Sequence, residues 1–286
     1  MAEHDPNALA LFDTGSPAPR TSGFMDLTDP EYSYMFGFVQ ADGHLAAGAG
    51  RKGRLTVEIN VRDIAILHEF RRLTPYNSSI KERVRATNFS KSHHSATWSL
   101  CSLEARTVIN ELGVPYGSKS RRIKPPRVDF SPRDYLRGVI DADGSLGYTA
   151  QGFPFVSLTT ASTAVGAYLC FHAKKVTGTR RSIARNSRDG LYNILYTMEA
   201  AVTLAEHFYY PGCLALPRKQ ASATSLSAWQ RPPGLKPRAK NRRWKPWEDE
   251  LLLRSGDAAA AAVELDRTTA SCSVRLWRLR SGQIQS

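Results

Sequence analysis

The spacing of apolar and polar positions changes along the chain in an order that occurs twice. In residues 54–61, RLTVEINV, the two alternate: Leu55, Val57 and Ile59 fall on one face and Arg54, Thr56, Glu58 and Asn60 on the other, the period of a half-buried strand. Residues 63–74, DIAILHEFRRLT, change to the spacing of an amphipathic helix. Residues 43–49, 79–87 and 95–102 read as further strands and 103–113 as a second helix. In the hairpin starting at Ser79, Lys81, Arg83 and Arg85 share one face, and Ile80 and Val84 take the other. A matching series follows, with strands at 145–150 and 153–161, a helix at 162–178, a hairpin from 180–187 and 190–198, and a helix at 199–210.

Each series is preceded by an apolar helical segment. Residues 34–45, YMFGFVQADGHL, and 135–146, YLRGVIDADGSL, share Tyr, Gly, Ala-Asp-Gly and Leu at equivalent positions. Their separation of roughly 100 residues is too long for a solenoid repeat and suits a duplicated subdomain. The order αββαββα therefore occurs twice, which predicts an α+β fold of two pseudo-symmetric subdomains. Lys119 and Lys219 follow the last helix of each series and keep nearly the same offset.

From Trp229 to Arg243 the composition turns proline-rich and basic, WQRPPGLKPRAKNRR, which reads as an extended linker. Beyond it three short helical patterns suit a small all-α helix-turn-helix module. The expected organisation is a loose tail at 1–24, a first half at 25–128, a second half at 129–228, a linker at 229–243 and the module at 244–286. The opening residues have no basic start followed by an apolar stretch, so no secretory signal is expected.

With 39 Lys and Arg against 26 Asp and Glu, the net charge of +13 favours a polyanionic partner, nucleic acid foremost. No apolar run reaches the length of a membrane span. Cys101, Cys170, Cys213 and Cys272 lie far apart with no metal or redox spacing, so an intracellular, cytoplasmic protein with reduced thiols is expected. His93 and His94 are adjacent on a strand and point to opposite faces, which argues against a shared metal.

In the two repeated segments, Gly37 and Gly138 lack side chains and allow two helices to approach closely. Each helix then ends in Asp-Gly, although the helix dipole disfavours a carboxylate at a C-terminus. If the helices pack in parallel, Asp42 and Asp143 emerge side by side and repel unless protonated or bridged by a cation. Carboxylates with backbone carbonyls, here at Gly43 and Gly144, are a ligand set for Mg²⁺ or another divalent ion such as Mn²⁺. Such a site suits phosphodiester hydrolysis.

The pair MFGFVQADG and LRGVIDADG resembles the duplicated motif of the LAGLIDADG homing endonucleases in their single-chain form, over residues 29–220. Gly138, Ile140, Asp141, Ala142, Asp143 and Gly144 match the family letters, and the first copy departs at Gln40. The resemblance implies that Asp42 and Asp143 coordinate catalytic metals and that Lys119 and Lys219 lie near the scissile phosphate, with Arg218 as a competitor to Lys219. It also implies two antiparallel sheets forming a saddle along the major groove of double-stranded DNA, bound by a monomer and cut to leave short 3′ overhangs. On the sheets, Arg54, Thr56, Glu58, Asn60, Lys81, Arg83 and Arg85 are the expected DNA contacts of the first half, and Arg181, Arg185 and Arg188 keep the basic character of the second.

The C-terminal module resembles a Myb-like or related helix-turn-helix through Trp244, Trp247, Glu248, Asp249, Glu250 and the helix SVRLWRLR. Val274, Leu276 and Trp277 are expected in its core, the tryptophans being structural, with Arg275, Arg278 and Arg280 facing DNA. An intron RNA maturase and a non-cleaving DNA-binding regulator use the same scaffold and stand as alternatives to intron homing by a mobile element. The chain termini lack the residues of an intein.

Overall fold

The computed structural model describes residues 23–46, 52–87, 90–235 and 244–284. They form an α+β protein with two antiparallel sheets, and the chain divides into two compact units, Met1–Arg231 and Pro232–Ser286. The expected tail up to residue 22 and the linker over 236–243 lie outside the described residues, as do 47–49 of the first predicted strand. Among the described residues no helix is long and apolar enough to cross a membrane.

The first half of the larger unit runs α1 (Pro30–Asp42), β1 (His44–Leu45), β2 (Leu55–Asn60), a 3-10 turn at Val61–Asp63, α2 (Ala65–Leu73), β3 (Ser78–Thr87), β4 (Ser90–Leu100) and α3 (Leu103–Glu111). Its sheet has the order β1-β2-β4-β3. Val57 pairs with Trp98 and Trp98 with Ile80, so one face is apolar. That face is covered by α2: Phe70 packs edge-on against Trp98 at 6.0 Å and against Phe38 of α1 at 5.3 Å. Each such side chain, fully buried, contributes about 1.5–3 kcal/mol.

The second half runs α4 (Pro132–Asp143), β5 (Gly144–Tyr148), β6 (Pro154–Thr160), α5 (Thr163–Thr177), β7 (Tyr192–Thr197), α6 (Glu199–Phe208) and α7 (Pro217–Ser227), with a sheet of order β5-β6-β7. The strand expected at 180–187 is reduced to one bridge, Arg185 to Tyr192. Its sequence alternates poorly, and a turn closes directly on β7: Asn186 N–H donates to Leu191 O, Gly190 N–H to Asn186 O, and Leu191 N–H to the Asp189 carboxylate. α7 was not predicted. Ser and Thr weaken its helical pattern, but Pro217 starts it and Ala223 and Leu226 anchor it in the core. The larger unit also extends past the expected end of the second half, because Arg231 forms two 2.6 Å bonds to the Glu199 carboxylate.

α1 and α4 form the centre of this unit. From Tyr32 to Gln40 every residue of α1 is buried, as for a helix apolar on all sides. Asp29 caps its first turn by accepting from Glu31 N–H and Tyr32 N–H, and Pro30 occupies the first helical position. The helices meet backbone to backbone. A Cβ on Gly37 would overlap the Tyr135 carbonyl oxygen, and one on Gly138 would overlap the Tyr34 carbonyl oxygen and lie 2.8 Å from Phe38 N.

The smaller unit contains α8 (Pro246–Ser255), α9 (Ala258–Glu264) and α10 (Thr269–Arg280) around Leu251, Leu252, Ala261, Ala262, Leu265, Cys272 and Leu276. Three expectations are corrected: Val274 is 52%, Trp277 59% and Trp247 52% exposed, while Leu276 is buried and Trp244 packs partly against the core. The small Ala261, Ala262 and Cys272 let the helices close without them. Two of the acids of α8 are interior. Glu248 pairs with Arg267 at 2.8 Å and Asp249 with Arg275 at 2.5 Å, and Trp244 lies under the Arg267 guanidinium at 4.0 Å.

The glycine contact sets a first prediction. Gly138→Ala lowers stability by about 3 kcal/mol or more because the overlapped atoms are backbone and cannot yield. Gly23→Ala, where a Cβ meets nothing within 4 Å, changes it by less than about 0.5 kcal/mol. Urea midpoints of the two variants test this, and equal midpoints would refute the close approach.

Candidate active site

The helix pair carries a reciprocal set of hydrogen bonds one turn before its acidic ends. Tyr135 of α4 donates its hydroxyl to Gln40 Oε1 at 2.6 Å, and Tyr34 of α1 donates to Asp141 Oδ2 at 2.6 Å. Gln40 and Asp141 occupy the same place in the two repeats, so each helix latches the other at one matched level. Gln40 then donates through Nε2 to Gly113 O at 3.1 Å and Lys124 O at 2.9 Å. Asp141 instead accepts from Tyr209 Oη at 2.6 Å and Leu216 N–H at 2.8 Å. The difference between the repeats is chemical: the pocket of Gln40 presents carbonyl acceptors and needs an amide, whereas that of Asp141 presents donors and needs an acceptor. Burial pushes the Asp141 carboxyl up, and Lys219 with the two tyrosines pulls it back.

Asp42 and Asp143 follow at the helix ends, where Gly43 N–H returns to Val39 O and Gly144 N–H to Ile140 O. Both residues are exposed to solvent at the rim of the surrounding protein. Burial and the neighbouring Asp143 push Asp42 up to about 6, against the pull of Lys119 and Lys219. Burial likewise raises Asp143, opposed by the same two lysines. These four groups, one acid and one lysine from each half, therefore share one electrostatic field.

The lysines are buried, and their ammonium groups close the helix ends. Lys219 Nζ donates to Ile140 O at 2.6 Å, Asp141 O at 2.8 Å and Gly144 O at 2.8 Å. Lys119 Nζ donates to Gln40 O at 2.8 Å and to Ala41 O. Carbonyls left open in the last helical turn thus gain partners, and positive charge balances both the helix dipole and the acids. Burial lowers both lysines, Lys219 to about 8. Arg218 is held by a two-oxygen contact with Asp63, both distances 3.0 Å, and its charge still helps to lower Lys219.

The open sheet faces differ between the halves. On the first, register places Glu58, Thr97 and Lys81 in one row, Asn60, Ser95 and Arg83 in the next, and Arg85 beside His93; Thr56 pairs with Ser99, and Arg54 is exposed just before β2. Arg85 reaches Glu58 at 3.1 Å, and Glu58 contributes to the raised pKa of Asp42, so this face borders the acids. His94, on the other face, pairs with Glu82 at 2.8 Å.

Two exposed cations expected at DNA in the second half also have partners within the protein. Arg185 stacks on Tyr192 at 4.6 Å and donates to Gly190 O at 2.6 Å, and Arg181 lies over Tyr196 at 5.6 Å, both rings belonging to the buried side of the sheet. They hold the loop before β7, while Arg188 is exposed beside Asp189. In the smaller unit Arg275 is committed to buried Asp249, which corrects its expected outward role. Arg280 donates to Gly256 O at 3.2 Å, and Arg278 is exposed.

Among the described residues no group of three or more His, Cys, Asp and Glu is arranged to hold a metal ion. The site is a two-carboxylate one, and a divalent cation fits it on the evidence of the like-charge pair, whose repulsion the cation removes. The remaining positions would fall to water, phosphate and backbone oxygens. The Gly144 carbonyl already serves Lys219, so its part in a metal shell would use its second lone pair.

No family model and no curated protein matches the chain. Among solved structures, the meganuclease I-SmaMI bound to uncleavable DNA is similar at 13% identity and a TM-score of 0.45, over 70% of this chain and 89% of that one. The homing endonuclease I-WcaI bound to its DNA recognition sequence is 12% identical with a TM-score of 0.48, over 69% and 87%. The LAGLIDADG homing endonuclease I-LtrWI bound to target DNA is 10% identical with a TM-score of 0.42, over 69% and 88%. At this level of identity and superposition, function has to be argued from the chain's own residues.

Two measurements probe the site. Gln40→Glu sets a carboxylate against two carbonyls and costs about 3 kcal/mol at pH 8, with part recovered near pH 5 as the new acid protonates; urea titration at the two pH values tests it. Asp42 is raised in the folded state, so its contribution to stability is full below its ordinary value of 3.8 and is lost as pH rises through about 6. Calcium, which needs both acids ionised, therefore raises the melting temperature at pH 7.5 by roughly 4 °C or more at saturating concentration and has little effect at pH 5. A shift of equal size at both pH values, or one retained by Asp42→Asn, removes the metal assignment.

Proposed function

We propose that this chain is a site-specific DNA endonuclease of the LAGLIDADG homing type, making double-strand breaks in a long target by divalent-metal-dependent phosphodiester hydrolysis. The observation that carries the proposal is the pairing of Asp42 and Asp143 at the ends of two helices in backbone contact, each acid raised in pKa and each helix end held by a buried lysine. Nothing in the stability of the fold calls for two carboxylates there.

Asp42 and Asp143 would hold Mg²⁺ or Mn²⁺, which when bound supplies an activated water and a counter-charge for the leaving oxygen. The chain's own groups do the rest. The glycine contact fixes the separation of the acids, and the Tyr–Gln and Tyr–Asp latches keep the helix ends from sliding. Lys219 spends all three donors on carbonyls and acts as a positioning residue. Lys119 spends two, which leaves one N–H for a phosphate oxygen near the acids.

The charge of +13 and the cationic face carrying Lys81, Arg83 and Arg85 support duplex DNA as the partner. One acid from each half of a single chain supports action as a monomer, and four free thiols suit an intracellular setting. The smaller unit is proposed as a helix-turn-helix that adds DNA affinity, with Arg278 and Arg280 the exposed cations of α10.

Asp143→Asn and Asp42→Asn should each lower cleavage of a selected target in Mg²⁺ by more than about 100-fold while specific binding persists in the absence of metal. Cleavage is followed on end-labelled duplex and binding by gel shift. Undiminished cleavage by either variant sinks the proposal. Binding of the target sequence without cleavage by the parent protein points to a regulator, and preference for structured intron RNA to a maturase.

A further inference from the structure

The two open sheet faces differ in kind, and the difference reaches beyond their shared fold. The first carries Lys81, Arg83, Arg85 and Glu58. The second is built from the rows Ser145–Ser157–Leu195, Gly147–Phe155–Thr197 and Thr159–Asn193, with no ionised side chain among these described positions. Asn193 is exposed, and its Oδ1 accepts from Thr159 Oγ1 at 3.0 Å, which orients the amide. Leu195, two residues along the same strand face, is 47% exposed.

We propose that the second sheet reads an A·T-rich half-site, Asn193 pairing with adenine and Leu195 covering a thymine methyl, while the first sheet takes the half-site that contains G·C pairs. The inference rests on the endonuclease reading above and deepens it by naming the composition of the target. Its chemistry is direct. Guanine offers two acceptors in the major groove and is read best by Arg or Lys, while cytosine offers a donor suited to Glu; among the described positions of the two faces these side chains lie on the first. Adenine offers an acceptor beside a donor, and an Asn amide matches both. The orienting bond from Thr159 leaves the amide N–H₂ and a second Oδ1 lone pair for the base.

An apolar Leu on an otherwise polar face gains by removing thymine's methyl group from water. Two residues of strand advance about 6.6 Å, close to two base steps of about 3.4 Å, so Asn193 and Leu195 can address positions two steps apart in one half-site. The neutral face also gives the second half less phosphate attraction, so its share of affinity depends less on salt.

The test selects bound duplexes from a randomised library with the full chain in Ca²⁺, then cuts the selected site in Mg²⁺. One half of the consensus should be A·T-rich and the other should contain the G·C pairs. Asn193→Ala should relax one adenine position in the A·T half by on the order of tenfold, and Arg83→Ala should relax a guanine in the other. Replacing thymine by deoxyuridine in the A·T half should weaken binding by the parent about fourfold, the effect of one buried methyl, and should not affect Leu195→Ala. A selected site that is cut but holds G·C pairs evenly in both halves, or in which Asn193→Ala relaxes no A·T position, overturns the half-site assignment and leaves the endonuclease reading standing. Failure to select any sequence overturns both.

Discussion

The structure of the larger unit depends on one contact, the approach of two helix backbones at Gly37 and Gly138. Each glycine faces a peptide carbonyl of the other helix, so no side chain separates the two axes at that level. The consequence appears one to two turns later, where both helices must end at nearly the same place. Any residue at the last helical position is then held near its counterpart, and here both residues are aspartates. The contact that makes the core compact also brings the two helix ends together, and the aspartates placed there form a like-charge pair.

The surrounding groups follow from that charge problem. A carboxylate at a helix C-terminus meets the negative end of the dipole, and a second carboxylate nearby compounds it. A buried lysine in each half answers both, since its ammonium bonds the open carbonyls of the last turn and lies in the field of the acids. The balance is incomplete, because burial still holds both acids above their ordinary range. That residual unfavourable charge is what a divalent cation can neutralise. The same lysines therefore offset the acids without cancelling them.

Much of this arrangement was legible from the chain. The recurrence of Tyr, Gly and Ala-Asp-Gly at one offset pointed to the duplicated order of elements, and period-two alternation in β2 and β3 assigned their faces correctly. What escaped depended on distant partners. The shared Tyr34 and Tyr135 were visible as matched letters, but their bonds to Asp141 and Gln40 cross between helices and have no local pattern. Gln40 looked like a loss from the motif until its pocket, lined by Gly113 O and Lys124 O, made an amide the fitting group. Arg275 carried the charge of a surface residue, yet it holds a buried acid. Trp277 and Val274 had the look of core residues, but the alanines of α9 closed the small core without them.

A chain that holds both halves can let them diverge wherever the central contact does not forbid it. In a two-fold dimer a change made for one half-site appears in the other as well. Here Gln40 faces Asp141, a four-stranded sheet faces a three-stranded one, and a charged open face has a neutral counterpart. The positions that stay matched are Tyr34 with Tyr135, Gly37 with Gly138, Asp42 with Asp143, and Lys119 with Lys219, all within the helix pair or bonded to it. Symmetry is kept where two backbones must fit each other and where two charges must be balanced together. It is lost on the sheets, which are bound by no such mutual constraint, and that freedom leaves one scaffold with two unlike open faces.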